Sequence, residues 1–176
     1  MKLLYQEIRQ QIEGNSSAEH VRLWNNQVNL WDKGEQIPFQ MPAVFIDFPQ
    51  LEWSQIGKGK QNSQLLTRLY IVFESFITAE NEEDLDVFDL RDEVYLAVQD
   101  FKPTQSGKLQ RVAESTDPNH TNLYVWTMDF RSTYTDIVAE FPRTPTTGEI
   151  TTLTITPDLE IDATTYDGIR TSNEIT

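Results

Sequence analysis

Cysteine is absent from the chain, which excludes disulfide bonds and thiolate metal sites. Histidine occurs only at His20 and His120, and neither is accompanied by further ligands at helical or strand spacing. We therefore predict two solvated histidines and no metal site. Basic residues are also scarce, with 14 Lys and Arg against 28 Asp and Glu. The resulting net charge of −14 argues against binding to a nucleic-acid backbone, which needs clustered Lys and Arg.

Long apolar runs are missing as well. The first residues, MKLLYQEIRQQIEG, place charges close to Leu3 and Leu4, so they lack the apolar core of a signal peptide. No run approaches the ~20 apolar residues that a membrane-spanning helix needs. These patterns predict a soluble protein that is made in a cytoplasm and has no membrane partner. By contrast, four Trp, nine Phe and six Tyr supply enough large side chains for a buried core.

Apolar side chains at helical spacing predict two helices. The first is short, has an apolar residue every four positions from Leu4 to Ile12, and ends at residues 14–15, where Gly-Asn is typical of a C-terminal cap. The second is predicted over about residues 82–100, where apolar residues recur every three or four positions and Pro103 follows.

Residues 16–34 are ambiguous. The segment from Val21 to Trp24 would serve as a short strand, and the wider apolar spacing also fits a helix. The pair Asn25-Asn26 weakens a continuous helix because both side chains compete for backbone hydrogen bonds. We favour irregular structure for this stretch.

A long strand is predicted over residues 65–77, LLTRLYIVFESFI, the longest stretch that is dense in β-branched and aromatic residues. One of its faces is apolar and belongs to a core, whereas the other alternates between polar and apolar side chains. A half-apolar face of this kind predicts that a helix or a partner subunit covers part of it. The members of the mixed face are Leu66, Arg68, Tyr70, Val72 and Glu74.

Shorter strands are predicted on either side of this one. The sequence AVFIDF at residues 43–48 predicts a strand that Pro49 closes. The alternating stretch at 123–134 predicts the second strand of a hairpin whose first strand is at 109–115. Residues 117–120, DPNH, have the composition of the turn between them.

The polar stretch at residues 51–63 contains GKGKQNS and predicts a mobile hairpin loop. A phosphate-binding loop would need Gly-Lys-Ser/Thr at the start of a helix, whereas Gly59-Lys60 is followed by Gln61 and a strand. The acidic run at residues 80–89 lacks the central glycine of a calcium-binding loop, so it favours a solvated helix start.

Charged residues on the outer faces of two strands predict cross-strand ion pairs. These are Asp129 and Arg131 on the last strand, and Arg68 and Glu74 on the long strand. No serine has the setting of a nucleophile elbow, and spacing singles out no acid–base pair of carboxylates. We therefore predict no enzymatic activity and no cofactor.

The composition changes after residue 141. Residues 142–176 are rich in threonine, contain Tyr166 as their one aromatic residue, and cannot build a core of their own. Strand-like segments at 152–155 and 159–161 would pair with a sheet edge that another surface offers. The sequence therefore predicts an α+β domain over residues 1–141 and an extended C-terminal arm.

The order of these elements resembles that of the tail terminator proteins of long-tailed bacteriophages, which are also described as tail completion or head–tail joining proteins. The likeness covers about residues 1–141 and rests mainly on the element order. In that order a helix precedes the Pro-flanked strand PAVFIDF, the long strand LLTRLYIVFESF, the helix TAENEEDLDVFDLRDEVYLAVQDF and the hairpin LQRVAES / LYVWTMDFRSTY. The stretch WNNQ at 24–27 looks like versions from phages or prophages of Bacteroidota.

This resemblance implies a ring of six identical subunits that caps the tail tube, terminates tail assembly and joins the tail to the neck of the virion. It implies a mixed, mainly antiparallel β-sheet with helices packed on it, and no enzymatic activity. The implied partners are other copies of the chain, the tail tube protein and a neck or head-completion protein, with assembly in the cytoplasm of the bacterial host. DNA would pass through the lumen without specific binding, and the net negative charge is compatible with that because like charges prevent adhesion.

Two alternatives stay open at this point. One is a head-completion or neck connector protein of the same virion. The other is a non-viral soluble adaptor, whose apolar pocket would be formed by Trp24, Trp31 and Trp53. Candidate contacts with subunits or partners lie in the glycine-rich loop, on the outer strand faces and in the arm: Lys58, Lys60, Arg68, Tyr70, Glu74, Asp129, Arg131, Leu153, Ile155, Leu159 and Ile161.

Overall fold

The computed structural model of the chain describes residues 1–32, 39–57, 59–74, 86–120 and 123–139. All of these belong to one compact unit, Met1–Phe141. The C-terminal arm predicted at 142–176 lies outside the described residues. The helices and strands are, in chain order, α1 (Lys2–Asn15), β1 (His20–Leu23), α2 (Gln27–Asp32), β2 (Ala43–Gly57), β3 (Lys60–Glu74), α3 (Asp86–Val98), β4 (Gln110–Asp117) and β5 (Leu123–Asp136).

The strands form a single five-stranded sheet in the order β1-β2-β3-β5-β4. β1 runs parallel to β2, and each of the other neighbouring pairs is antiparallel. β3 lies at the centre, because it pairs with β2 along one side and with β5 along the other. The predicted α+β class, with a mixed and mainly antiparallel sheet, is confirmed.

Side-chain alternation along β3 gives the sheet two different faces. We call the face that carries Leu65, Leu69 and Ile71 the helix face, because α1 and α3 pack on it. The apolar stripes predicted for both helices are buried there, so those predictions are confirmed for the described residues. The buried helix residues are Leu4, Ile8, Ile12, Leu90, Val94, Ala97 and Val98.

The opposite face, which we call the second face, is covered at one end only. There α2 and the segment around Phe39 pack over Phe45, Val72 and Val125 of the sheet. The prediction that a helix or a partner covers part of this half-apolar face is confirmed, with a helix as part of the cover. We call this packing the aromatic cluster; its aromatic members are Trp24, Trp31, Phe39, Phe45 and Tyr70.

The strand predicted at residues 43–48 does not end at Pro49 but continues to Gly57 as β2. Its pairing with β3 shifts between Asp47 and Gln50, so the chain forms a β-bulge at this point. A bulge tolerates proline because the missing N–H falls where the ladder of hydrogen bonds is already interrupted. The prediction that proline closes the strand was therefore wrong.

The prediction of a mobile loop at residues 51–63 is also wrong for the described part of that stretch. The chain continues as the outer half of the β2–β3 hairpin, where Leu51 lies opposite Leu65. Gly57 and Gly59 lie at the turn with φ angles of 113° and 79°. Residues with a Cβ rarely adopt these backbone conformations. Because β5 holds β3 from the far side, the polar sequence is ordered by pairing that its composition did not reveal.

Irregular structure was predicted for residues 16–34, but two elements form there. His20–Leu23 pairs in parallel with Ala43–Ile46, and α2 follows after a break. Asn26 has a φ of 62°, a left-handed conformation that asparagine tolerates better than most residues. The asparagine pair therefore separates two regular elements and does not prevent either of them from forming.

Gly14 lies inside α1 and is not its C-terminal cap. The helix runs to Asn15, and Ser16 follows in an extended conformation. The hydroxyl of Ser16 donates a hydrogen bond to the carbonyl of Ile12 at 2.8 Å, which satisfies one of the last helical acceptors. A side chain thus ends this helix where a left-handed glycine was expected.

The second predicted helix is α3, described from Asp86 to Val98. Residues 82–85 of the prediction lie outside the described residues. The helix ends two residues earlier than predicted, because Asp100 adopts a φ of 63° and its N–H bonds to the carbonyl of Leu109 at 2.9 Å. That bond turns the chain towards β4 before Pro103 is reached.

Both outer strands of the sheet leave free edges. β1 pairs only with Ala43–Ile46, so in the described part of the chain no strand pairs with the outer edge of β2 from Asp47 to Gly57. On the other side of the sheet, β4 pairs with β5 alone. The register of β4 shifts between Arg111 and Ala113, which places a bulge in that edge as well.

We expect Gly107→Ala to destabilise the fold. A Cβ at Gly107 would lie 2.7 Å from Thr133 Oγ1 and 3.3 Å from Thr133 N, so the Thr133 side chain or its backbone must shift. The expected loss is about 1–3 kcal/mol of unfolding free energy, measured by urea denaturation. Gly14→Ala is the matched control: its Cβ would meet nothing within 4 Å, and the helix should gain about 0.5–1 kcal/mol. Equal effects of the two substitutions would contradict this account.

Candidate interaction surface

The aromatic cluster leaves half of the second face uncovered, and we call this half the open face. It is carried by the middle of the sheet, with Leu66 and Arg68 on β3 and Asp129 and Arg131 on β5. Antiparallel sheets commonly leave one face to solvent, and such a face is polar, as it is here. The open face carries the exposed Arg131 and the cleft beside it, so it is the candidate site for interaction.

A bidentate ion pair lies at the centre of the open face. Arg68 and Asp129 are directly opposite each other in the β3–β5 register. Arg68 Nε donates to Asp129 Oδ1 at 2.7 Å, and a terminal guanidinium nitrogen donates to Oδ2 at 2.8 Å. These hydrogen bonds raise the pKa of Arg68 above its ordinary value, against the opposing effect of burial. The cross-strand pair predicted from the sequence is present, and it fixes both side chains in one geometry.

Tyr70 marks the boundary between the open face and the aromatic cluster. Trp24 stacks on its ring, with the ring centroids 4.1 Å apart and the planes inclined by 13°. Burial raises the pKa of Tyr70, and the nearby Arg68 guanidinium only partly opposes that rise. Tyr70 is therefore held inside its own subunit, and its role as a candidate contact is limited to the exposed part of its ring.

Arg131 has a different setting from Arg68. It is exposed, and among the described arginines it alone has no ion pair. A cleft of about 300 Å³ lies beside it, with Leu66 on its floor and Glu52 on the far side. Glu52 accepts a hydrogen bond from Gln50 at 2.7 Å and does not reach Arg131. The guanidinium is thus available to a carboxylate from outside the subunit.

The other candidate contacts are dispersed. Lys60 lies at the start of β3 beside the hairpin turn, and Glu74 lies exposed at the opposite end of the same strand, paired in register with Leu123. Glu74 is therefore not part of the ion pair at the centre of the open face. The remaining candidates lie outside the described residues: Lys58, Leu153, Ile155, Leu159 and Ile161.

The outer side of α3 was not recognised in the sequence. Phe88 and Leu96 are 45% and 74% exposed there, and the exposed acids Asp89 and Asp92 lie between them in the sequence. The sequence contained a signal for this surface: Leu96 is apolar although it falls outside the buried stripe of α3, where a polar residue is expected. We call Phe88, Asp89, Asp92 and Leu96 the α3 stripe.

Neither histidine is simply solvated, so that prediction is corrected. His20 packs against Phe39 and Phe45, with ring centroids 6.0 and 5.9 Å away. The side chain of His120 is only 4% exposed, and its Nε2 lies 3.4 Å from Asp117 Oδ2. Turn chemistry buries the side chain of His120 and neighbouring rings half-bury His20, and the polar local sequence does not report either effect.

The three tryptophans proposed as an apolar pocket do not come together. Trp24 and Trp31 belong to the aromatic cluster, where other side chains already fill the space between them. Trp53 lies on the opposite face of the sheet, 6.1 Å from the ring of Tyr134. The grouping was wrong because the bulge between Asp47 and Gln50 inverts the alternation of β2, so Trp53 lies opposite Ser63 on the helix face and not on the face of Phe45.

Among the described residues, no group of three or more His, Asp or Glu side chains is arranged to hold a metal ion. No helix in the same part of the chain has the length and apolar character needed to cross a membrane. Comparison with models of known protein families and with curated proteins found no match for this chain.

A double-mutant cycle should show that Arg68 and Asp129 stabilise the fold jointly. We expect Arg68→Ala, Asp129→Ala and the double variant to give a coupling energy of about 1 kcal/mol, because the pair is bidentate and half-buried. Urea denaturation measures the three unfolding free energies. The single-turn helix pair Arg9–Glu13 serves as a control and should give about 0.4 kcal/mol. A coupling energy of zero at the sheet would refute the joint role.

Stability should fall as the pH drops below about 6.5, the ordinary pKa of histidine. Burial against the aromatic rings lowers the pKa of His20, and Arg22 and Arg9 lower it further, while Glu13 opposes them. The unfolded chain then binds the proton more readily than the folded chain, so His20 contributes stability above that pH and loses it below. His20→Gln should flatten the dependence of unfolding free energy on pH between about pH 7.5 and pH 5.5. An unchanged slope would exclude His20 as its source.

Proposed function

We propose that this protein is a structural component of a bacteriophage virion, a tail terminator that acts as a ring of identical subunits at the tail–neck junction. The ring caps the tail tube, ends tail assembly and joins the tail to the neck. The proposal includes no enzymatic activity and no cofactor. Six subunits form the ring, as in the family that the sequence resembles.

The element order is the observation that carries this proposal. The resemblance rests on a helix, the PAVFIDF strand, a long central strand, a second helix and a closing hairpin. The folded chain has α1, β2, β3, α3 and the β4–β5 hairpin in that order. β1 and α2 are additions between the first helix and the PAVFIDF strand, and the resemblance does not depend on them.

The surface properties support an assembly role. The open face presents Arg131 exposed and Leu66 half-buried, and the α3 stripe exposes the large apolar side chains of Phe88 and Leu96 on a different side. A ring requires each subunit to present two different surfaces to its two neighbours. The net charge of −14 supports a lumen through which DNA moves without sticking.

A neck or head-completion protein of the same virion is the nearest alternative. It would share the ring and the negative charge but would bind the neck side in place of the tube end. The soluble adaptor has weaker support, because the tryptophans that were its pocket lie on two faces of the sheet and two of them are already packed.

Particle assembly by the full-length chain tests the proposal. The expected results are a native mass of six subunits by light scattering, six-fold rings in negative-stain images, and binding of these rings to the ends of purified tail tubes. Binding to neck complexes without binding to tubes would favour the connector. A strict monomer that never associates with tubes would contradict the proposal.

A further inference from the structure

We propose that the α3 stripe of one copy docks on the open face of the next copy, with Leu96 over the cleft floor at Leu66 and Asp89 paired with Arg131. The inference rests on the proposed ring and names the two surfaces that build it. The α3 stripe has an exposed leucine and an exposed carboxylate, and the open face has a cleft lined by Leu66 and an exposed arginine.

The α3 stripe is apolar at its ends and acidic between them. Leu96 is 74% exposed and Phe88 is 45% exposed, although α3 already buries its core stripe against the sheet. Asp89 is exposed and has no ion-pair partner among the described residues. Asp92 beside it is held by Arg91. The stripe therefore offers one apolar anchor and one unpaired carboxylate.

The open face offers the complementary features. Arg131 is exposed and has no ion-pair partner among the described residues, and a cleft of about 300 Å³ lined by Leu66 lies beside it. On the other side of Arg131, β4 places Gln110 directly opposite it, and Ala113 and Ser115 follow further along the same strand, opposite Asp129 and Thr127. A carboxylate over an exposed guanidinium and a leucine over an apolar floor match in charge and in character.

The direction of the contact follows from the fold. α3 packs on the helix face, whereas Leu66 and Arg131 alternate to the second face, so the two surfaces lie on opposite sides of one sheet. A contact between different surfaces is heterologous, and repeating it generates a closed ring if the rotation closes. A two-fold dimer would instead use one surface twice.

Charge exchange is the first test. Arg131→Glu and Asp89→Arg should each weaken association about tenfold, because an attraction becomes a repulsion at every interface. The double variant Arg131→Glu/Asp89→Arg should regain most of the wild-type association. Lys102→Glu is the matched control for Arg131→Glu, since it makes the same charge change at an exposed residue away from both surfaces. Sedimentation velocity measures the mass distribution of each variant.

Cysteine cross-linking is the second test, and the absence of natural cysteines makes it clean. Gln64→Cys lies at the cleft and Asp92→Cys on the α3 stripe, so both leave the proposed contacts intact. The double variant should give a ladder of multimers with a bismaleimide reagent, and neither single variant should give dimers. Gln10→Cys combined with Asp92→Cys is the control and should give no ladder.

The outcomes separate this inference from the proposed function. Rings that form without the Gln64→Cys/Asp92→Cys ladder, or charge exchange without recovery, would overturn the inference and leave the ring intact. Efficient dimers from a single-cysteine variant would also overturn it, because they indicate a two-fold contact. A chain that stays monomeric at every concentration would overturn both. Recovery by charge exchange together with the ladder would support the docking of α3 on the open face.

Discussion

The two-sided pairing of β3 is the interaction on which the rest of the structure depends. Because β3 is bonded to β2 and β5 along nearly its whole length, its alternation fixes which side chains of all three strands share a face. A slip of one residue would turn Arg68 into the helix-face core and expose Leu69. Burying an unpaired guanidinium costs free energy, and exposing Leu69 loses the free energy of its burial. The charged pair with Asp129 therefore favours the same register as the core does.

Sequence patterns predicted the elements in which one periodicity dominates. The two-residue alternation of β3 and β5 and the helical stripes of α1 and α3 were all recognisable, since burial selects apolar residues at those spacings. Alternation also assigned Arg68 and Asp129 to outward faces. It could not place Arg68 opposite Asp129, because the register between two strands is set by their pairing and by the core that both of them share.

Prediction failed where a local signal was overruled by distant pairing. Proline and the glycine-lysine repeat suggested that β2 had ended, yet pairing with β3 carries the strand past both. The aromatic cluster was missed for a related reason: Trp24 and Tyr70 are far apart in the chain, and nothing local indicates that they stack. Leu96 shows the opposite case, in which a single residue that departs from its helix stripe carried usable information.

A chain that associates through chosen surfaces must also avoid association through others. Along its outer edge from Asp47 to Gly57, β2 has backbone N–H and C=O groups that pair with no strand among the described residues. A flat edge of this kind can pair with strands of other molecules and so promote aggregation. The bulge at Pro49 bends the strand, and the exposed Glu52 would repel an identical edge. A bent, charged edge is a poorer template for strand addition than a flat one.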